Sequence, residues 1–237
     1  MVKQRHIAII PARGGSKRIP RKNIVPFHGR PLMAWTVSAA LESGLFDRVL
    51  VSTDDPEIQA VALACGAEAP FLRLTAADDM APASAATLAA LDQAERHWGE
   101  GYDVVAQLMP NCPLRDAAAI RTALSAFQSG NGGFQISCTG YGWTNPWWAA
   151  ELAPDGQPKA LFPEQRLKRS QELPALYCPT GAIWLADAAA LRQAGTFYGP
   201  GHRFQPLDFW SAVDIDTVED LAMAAALAQA RVVLEKV

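Results

Sequence analysis

The sequence predicts an α/β fold in which a mostly parallel sheet carries helices on both faces. Short runs of aliphatic and β-branched residues alternate with longer helical patterns, and the first two runs are His6 to Ile10 and Arg48 to Thr53. Continuous apolar runs are typical of strands that are covered on both sides. Strands that alternate with helices form parallel sheets, because a parallel crossover needs a long connection, usually a helix. The chain has 237 residues, half of them hydrophobic, which is enough for one large domain.

The predicted elements follow in a regular order along the chain. Proline at a first helical position, polar caps and closing glycines define the helix ends. We expect helices over residues 31–43, 56–65, 83–98, 117–128 and 187–194, and a last helix after Thr217. Besides the two runs above, we expect strands over residues 67–72, 102–109, 134–139, 181–185 and 204–207, the last as an edge strand.

The segment from about residue 141 to residue 177 interrupts this alternation. It contains several prolines, three tryptophans and an Asp155-Gly156 pair that signals a hairpin. On a monomer, such an aromatic β-arm would leave an exposed apolar patch, so we favour a partner subunit as its cover over packing onto its own domain. We therefore interpret residues 1–237 as one domain with an inserted dimerisation arm. The tryptophans are Trp143, Trp147 and Trp148.

Composition argues against several classes of protein. The net charge of −3 does not favour a general nucleic-acid surface. No stretch is long and apolar enough for a membrane span, and the N-terminal region does not resemble a signal peptide. The four cysteines are scattered without a Cys-x-x-Cys pair, so neither a zinc site nor a disulfide framework is expected. We expect a cytoplasmic protein that binds neither nucleic acid nor membranes.

A basic, glycine-containing loop follows the first predicted strand, over residues 11–23. Gly14 and Gly15 allow the backbone to turn and to approach a ligand closely, and amide groups in such a turn can bind an anion. Arg13 can bind phosphate with two parallel hydrogen bonds, and Lys22 can act as a point charge. The loop matches neither the Walker motif nor the dinucleotide motif. Its position at the end of the first strand favours a polyphosphate site over an exposed basic loop. Three further cations in the loop are expected to be solvated: Lys17, Arg18 and Arg21.

Two carboxylates near the C-terminus are candidate metal ligands. Asp214 and Asp216 are two residues apart, which places both side chains on one side of an extended segment. Two such oxygen ligands can hold Mg²⁺ while phosphates and water complete its shell. The alternative for Asp216 is a capping role beside Thr217, and the residues alone leave the two interpretations even. Asp54 is a weaker metal candidate, because an acid at a strand end can simply cap the helix that begins at Pro56.

Five stretches of the chain resemble, in order, the motifs of the acylneuraminate cytidylyltransferases, also called CMP-sialic acid synthetases. Pro11 to Asn23 matches almost throughout the opening motif Pro-Ala-Arg-Gly-Gly-Ser-Lys-x-Ile-Pro-x-Lys-Asn. The resemblance covers nearly the whole chain, and the first and last motifs together are specific. The other four stretches are Ser52-Thr53-Asp54, Gln107 to Arg115, Arg169 to Pro174 and Asp214 to Thr217.

The resemblance implies a Rossmann-like sheet of the nucleotide-diphospho-sugar transferase type, with an inserted arm that forms a homodimer. The implied reaction is transfer of CMP from CTP to the anomeric hydroxyl of a nonulosonic acid, with release of pyrophosphate and a requirement for Mg²⁺ or Mn²⁺. The implied catalytic residues are Arg13, Lys22, Arg169 and Asp216, and the implied metal ligands are Asp214 and Asp216. The implied nucleotide-binding residues are Ala12, Arg13, Gly14, Ser16, Lys22, Asn23, Arg73 and Ser84. The implied sugar-binding residues are Gln107, Asn111, Arg169 and Tyr177.

Several alternatives stay open at this point. From the residues alone, a capping role at the helix over residues 83–98 explains Ser84 at least as well as contact with a ligand does. Asn111-Cys112 replaces the family's usual Thr-Ser, and residues 177–181 match neither the sialic-acid nor the pseudaminate pattern. These departures leave the identity of the sugar substrate open among sialic, legionaminic and pseudaminic acids and their relatives. The competing functions are another sugar nucleotidyltransferase, such as a 3-deoxy-octulosonate cytidylyltransferase, and a non-catalytic nucleotide-binding regulator.

Overall fold

The computed structural model describes residues 4–76, 82–142 and 144–234. The strands are β1 His6–Pro11, β2 Pro26–Phe27, β3 Arg30–Pro31, β4 Arg48–Ser52, β5 Val104–Gln107, β6 Phe134–Gly140, β7 Ala150–Leu152, β8 Pro158–Ala160, β9 Tyr177–Asp187 and β10 Arg203–Pro206. The helices are α1 Leu32–Ser43, α2 Pro56–Ala64, α3 Ala83–Trp98, α4 Ala117–Ser129, α5 Ala188–Ala194 and α6 Val218–Leu234. Short 3₁₀ turns occupy Lys22–Ile24, Pro146–Trp148, Gln165–Leu167 and Ser170–Glu172.

Six strands form the central sheet, in the order β10-β6-β9-β5-β1-β4. β1 is parallel to both β4 and β5, and β10 is parallel to β6. β9 lies antiparallel between β5 and β6. The predicted mostly parallel sheet is therefore confirmed, and β10 is the edge strand that was expected. Because β9 runs against its neighbours, its first residues lie at the edge where the parallel strands end.

Helices cover both faces of this sheet, as the alternation of side chains along β1 shows. Ala8 and Ile10 belong to the core that α1, α2 and α4 complete. Ile7 and Ile9 belong to the core that α3 and α5 complete. All four side chains are fully buried, so successive residues of one strand fill two different cores. This burial on both faces explains why the strand reads as a continuous apolar run.

A third, smaller core brings the two ends of the chain together. Ile19 of the basic loop and Ile215 of the segment before α6 both contribute buried side chains to it. Leu32 at the start of α1 and Ala224 of α6 complete its centre. The packing of Ile19 and Ile215 in one cluster places the basic loop beside the carboxylates at positions 214 and 216.

Two local expectations are wrong. Residues 67–72 form no strand; they make a single parallel bridge between Leu50 and Glu68, and Pro70 has no N–H with which to extend the ladder. Ser84 does not cap α3, because Pro82 occupies the capping position. The Ser84 side chain is buried, and its hydroxyl accepts a hydrogen bond from the Phe197 N–H at 3.4 Å.

The inserted arm extends from the domain and is largely exposed in the single chain. β7 and β8 pair antiparallel across the predicted Asp155-Gly156 turn, so the hairpin is confirmed. Trp147 and Trp148 belong to the 3₁₀ turn before β7 and not to the hairpin strands. Trp143 lies outside the described residues. Trp147 packs edge-on against Phe162, whereas 43% of Trp148 remains exposed.

No helix in the described ranges combines the length and apolar character that a membrane span requires.

Candidate active site

A cleft of about 270 Å³ opens at the edge of the sheet where β1, β4 and β5 end. The loops after β1 and β5, the segment from Arg73 to Ala76 and the start of α3 form its walls, and Asp216 before α6 closes one side. Open α/β sheets bind ligands at this edge, next to the strand at which the order of the strands reverses direction. Here that strand is β1, which has β4 on one side and β5 on the other. Seven of the predicted site residues line the cleft: Arg13, Ser16, Lys22, Asn23, Arg73, Asn111 and Asp216.

The basic loop is held against the loop after β4 by close contacts. The Gly14 N–H donates to Asp54 Oδ1 at 2.9 Å, and a Cβ on Gly14 would lie 2.6 Å from Asp55 Oδ2. Only glycine fits this approach without displacing Asp55. Asp55, not Asp54, caps α2, because its Oδ1 accepts from two backbone N–H groups of the first turn. The expectation that Asp54 caps this helix is therefore wrong.

Arg21 and Asn23 fix the second half of the loop. Arg21 adopts a left-handed backbone conformation, with φ of 58°, which is uncommon for a residue other than glycine. Its guanidinium forms ion pairs with Asp55 at 2.7 Å and with Glu57, so it is not simply a solvated charge as we had expected. Asn23 is buried, and its Nδ2 donates to the Arg13 carbonyl at 2.9 Å. These contacts hold the loop in one shape around the cleft.

Asp216 forms the charged centre of the cleft wall. Lys22 Nζ donates to Asp216 Oδ1 at 2.7 Å and to the Ile215 carbonyl at 2.9 Å. Arg18 Nη2 donates to Asp216 Oδ2 at 2.7 Å, which corrects the expectation that Arg18 is only solvated. Partial burial alone would raise the Asp216 pKa, but the hydrogen bonds and charges of Lys22 and Arg18 outweigh it and lower the pKa. Asp216 therefore stays ionised. It does not cap α6 with its side chain; Thr217 Oγ1 accepts from the Asp220 N–H at 3.2 Å, as expected.

Asp214 has a different environment two residues earlier. Its side chain retains contact with solvent, yet desolvation by the surrounding atoms, followed by the charge of Asp216, raises its pKa to about 6. Asn111 Nδ2 donates to Asp214 Oδ1 and, at 3.2 Å, to the Ile215 carbonyl. The charge of one carboxylate therefore disfavours ionisation of the other.

Two of the predicted site residues carry buried donors that no described residue satisfies. Arg73 is 3% exposed, and its Nη1 binds the Ser52 carbonyl at 2.8 Å, but its Nε has no hydrogen-bond partner. Burial lowers the Arg73 pKa. Gln107 ends β5, and its Oε1 accepts from Thr87 Oγ1 at 2.7 Å, while its Nε2 has no partner. A buried donor without a partner is costly, so both groups are suited to a ligand.

The remaining predicted site residues do not line the cleft; three of them, Gly14, Gln107 and Asp214, are described above. Ala12 is fully buried, and its N–H donates to the Ser52 carbonyl at 2.9 Å. Ser84 is directed at Phe197, as described above. Arg169 and Tyr177 are exposed on and beside the arm, although Tyr177 begins β9 and therefore lies at the same sheet edge as the cleft.

The donor set fits a magnesium ion that arrives with a polyphosphate. Among the described residues, no group of three or more His, Cys, Asp or Glu side chains could enclose a metal. Asp214 and Asp216 supply hard oxygen donors, and Mg²⁺ is commonly held by one or two carboxylates together with phosphates and water. Two carboxylates beside a basic loop match that pattern.

A basic loop at the end of a parallel strand, with two of its cations paired to Asp216, is suited to binding the phosphates of a nucleotide. The chain belongs to the cytidylyltransferase family, because the family model described as "Cytidylyltransferase" matches residues 7–138. The pseudaminic acid cytidylyltransferase of Campylobacter jejuni subsp. jejuni serotype O:23/36 (strain 81-176) is 36% identical over 225 residues, which cover 94% of this chain and 96% of that protein.

One further relative supports the same assignment, and one solved structure supports the fold. The CMP-N,N'-diacetyllegionaminic acid synthase of Legionella pneumophila subsp. pneumophila (strain Philadelphia 1) is 32% identical over 230 residues, covering 94% of this chain and 96% of that protein. The structure of CMP:2-keto-3-deoxy-manno-octonic acid synthetase complexed with CTP aligns with a TM-score of 0.70 over 96% of this chain and 100% of that one, at 16% identity. At that identity the structural match supports the fold alone.

Proposed function

We propose that this protein transfers CMP from CTP to the anomeric hydroxyl of a nonulosonic acid and releases pyrophosphate. The observation that carries the proposal is the ion pair between Lys22 and Asp216, both of which line the cleft at the end of β1. A cation for phosphates and a carboxylate for a metal are thereby placed within one small volume. The names of the two relatives above indicate activation of nonulosonic acids, which supports this class of acceptor.

The chemistry needs charge neutralisation and alignment more than a dedicated base. The sugar hydroxyl oxygen forms a bond to the α-phosphorus, the bond from that phosphorus to the β-phosphate oxygen breaks, and the hydroxyl proton passes to water. Arg13 and Lys22 bind the triphosphate and stabilise the charge that develops on the leaving pyrophosphate. Asp214 and Asp216 hold Mg²⁺ or Mn²⁺, which supplies Lewis-acid stabilisation of the phosphate oxygens.

Nucleotide binding is assigned to the basic loop and the wall opposite it. Ser16, Asn23 and Arg73 line the cleft, and Arg73 Nε offers a buried donor without a partner among the described residues. Ala12, Gly14 and Ser84 act less directly, since each of them uses a donor or acceptor within the protein. Their contribution is the shape of the loop and of the start of α3.

The sugar acid is assigned to the sheet edge where β5 ends and β9 begins. Gln107 Nε2 is a buried donor at the end of β5, and Tyr177 begins β9 at the same edge. Asn111 also lines the cleft, but its side chain donates to Asp214 and Ile215. Pseudaminic acid is the first acceptor to test, because the 36% identical relative is named for it. Legionaminic and sialic acids complete the panel.

We also propose a homodimer in which the arm supplies Arg169 to the partner's cleft. This proposal is supported by the position of Arg169, which is exposed on the arm and does not line the cleft of the same chain. The arm also exposes large apolar side chains, with Leu152 75% and Leu167 90% exposed. A second subunit would cover them. We further place the protein in the cytoplasm, where reduced cysteines are the rule.

Pyrophosphate release tests the function directly. The purified protein is incubated with CTP, Mg²⁺ and each of pseudaminic, legionaminic, sialic and 3-deoxy-octulosonic acids. We expect release with one of the three nonulosonic acids and loss of activity in excess chelator. Turnover with 3-deoxy-octulosonate alone would assign the competing nucleotidyltransferase function, and CTP binding without turnover on any acid would indicate the regulator. Full activity in chelator would remove the metal from the proposal.

A further inference from the structure

Asn111 makes three hydrogen bonds to the segment that carries both candidate metal ligands. Its Nδ2 donates to Asp214 Oδ1 and to the Ile215 carbonyl at 3.2 Å. Its own backbone carbonyl accepts from the Ile215 N–H at 3.0 Å. Residue 215 lies between the two carboxylates, so Asn111 holds both the first carboxylate and the backbone from which the second one projects.

These contacts leave the Asn111 side chain little capacity to bind a sugar. A side-chain amide has two N–H donors, and Asp214 and Ile215 use both. Its remaining polar atom, Oδ1, is buried and has no partner among the described residues. The residue as a whole is 5% exposed. Both donors are therefore engaged, and Oδ1 is the one polar atom of this side chain that has no partner in the described part of the protein.

Lys22 completes the arrangement from the other side of the same carbonyl. Lys22 Nζ and Asn111 Nδ2 both donate to the Ile215 oxygen. The carbonyl is therefore held between a cation from the basic loop and an amide from the loop after β5. A rigid peptide at position 215 fixes the directions of the carboxylates on either side. Loss of a group that orients a metal ligand typically costs about 10–100-fold in metal affinity.

We infer that Asn111 is a positioning residue that aligns Asp214 and Asp216 for a divalent cation, and that it does not contact the sugar. This inference rests on the proposed function, in which those carboxylates hold the metal. It also gives a physical role to a position at which this chain departs from the Thr of the family motif that it resembles. A threonine hydroxyl has one donor, which can serve only one of the two acceptors that Asn111 serves.

Binding of Mn²⁺ tests the inference without turnover. Free Mn²⁺ is measured by electron paramagnetic resonance in a titration of the protein with CTP present and the sugar omitted. We expect Asn111→Leu, which keeps the volume and removes the donors, to weaken Mn²⁺ binding by about 10-fold or more. Asn111→Thr should lie between Asn111→Leu and wild type. Gln135→Leu is the matched control, because Gln135 is also a buried amide but donates to the Ala123 carbonyl away from the cleft; it should bind Mn²⁺ like wild type.

The outcomes separate this inference from the function it rests on. With saturating Mn²⁺, the KM for the sugar should stay within about twofold of wild type in Asn111→Leu, since a group that acts only through the metal does not change uniform sugar binding. Wild-type Mn²⁺ affinity together with a raised sugar KM would overturn the inference and return Asn111 to the sugar site. If wild-type protein with CTP binds no Mn²⁺, the metal assignment itself falls. Should Asn111→Leu fail to fold by circular dichroism, unchanged Mn²⁺ affinity in Asn111→Thr would count against the inference.

Discussion

Replacing Lys22 by methionine removes one positive charge from the cleft while keeping an unbranched side chain of similar length. The Lys22 side chain is only 16% exposed, and its ammonium group donates to Asp216 Oδ1 at 2.7 Å and to the Ile215 carbonyl at 2.9 Å. Without it, Asp216 keeps Arg18 as its ion-pair partner in the described part of the chain. The change therefore affects both the stability of the segment before α6 and the charge available to the triphosphate.

The two effects have different expected sizes. A hydrogen bond to a charged group contributes about 1.5–3 kcal/mol, but Asp216 is 40% exposed, so solvent screening reduces the expected loss of folding free energy to about 1–2 kcal/mol. For a domain of this size, that loss lowers Tm by about 3–6 °C. Loss of a preorganised charge at the phosphates should lower kcat/KM for CTP by about 10²–10³, or about 2.7–4 kcal/mol of transition-state stabilisation.

Calorimetry and steady-state pyrophosphate release measure the two effects separately. Lys17→Met is the matched control, because Lys17 lies in the same loop and also lines the cleft but is exposed; we expect a much smaller kinetic effect. Lys22→Arg should restore part of the stability and less of the rate, since arginine places its charge differently. A Lys17→Met variant that loses more activity than Lys22→Met would refute the placement of the triphosphate beside Lys22.

Three further changes test other parts of the structure. The Asp214 pKa is raised to about 6, so kcat/KM at limiting Mg²⁺ should fall as pH falls through about 6, and more Mg²⁺ should move the midpoint of this profile lower because the metal competes with the proton. Folding stability should change in the opposite sense and decrease as pH rises from the ordinary carboxyl pKa to about 6. A flat profile of activity and stability over this range would contradict both expectations. Gly14→Ala would place a Cβ 2.6 Å from Asp55 Oδ2 and should reduce kcat/KM for CTP by about 10-fold or more, whereas Gly140→Ala, with nothing within 4 Å, should be neutral. Trp148→Ala combined with Leu167→Ser should yield a protein that is monomeric by light scattering and has low activity. Trp147→Ala should mainly loosen the arm, since Trp147 Nε1 donates to the Pro174 carbonyl within the chain. A fully active monomer would contradict the proposed role of the arm.

The strands, helices and basic loop could be predicted because their causes are local. β1 reads as an apolar run since both of its faces are covered, and α1, α2 and α3 begin at or next to prolines that favour a first helical turn. The errors arose where a local signal had more than one solution. Serine is suited to capping a helix, but Pro82 occupies the capping position of α3, two residues before Ser84. The Ser84 hydroxyl accepts from the Phe197 N–H instead.

The fold class, the cluster of cations after β1 and the pair of acids before α6 can all be read from the sequence, because they depend on neighbouring residues and on residue chemistry. The hydrogen-bond partner of each carboxylate is set by tertiary packing: Arg18 and Asp216 are 198 positions apart, and Asn111 and Asp214 are 103 apart. Such contacts depend on the packing of Ile19 and Ile215 into one core, and a pattern of neighbouring residues carries no information about the partner that packing at this distance selects.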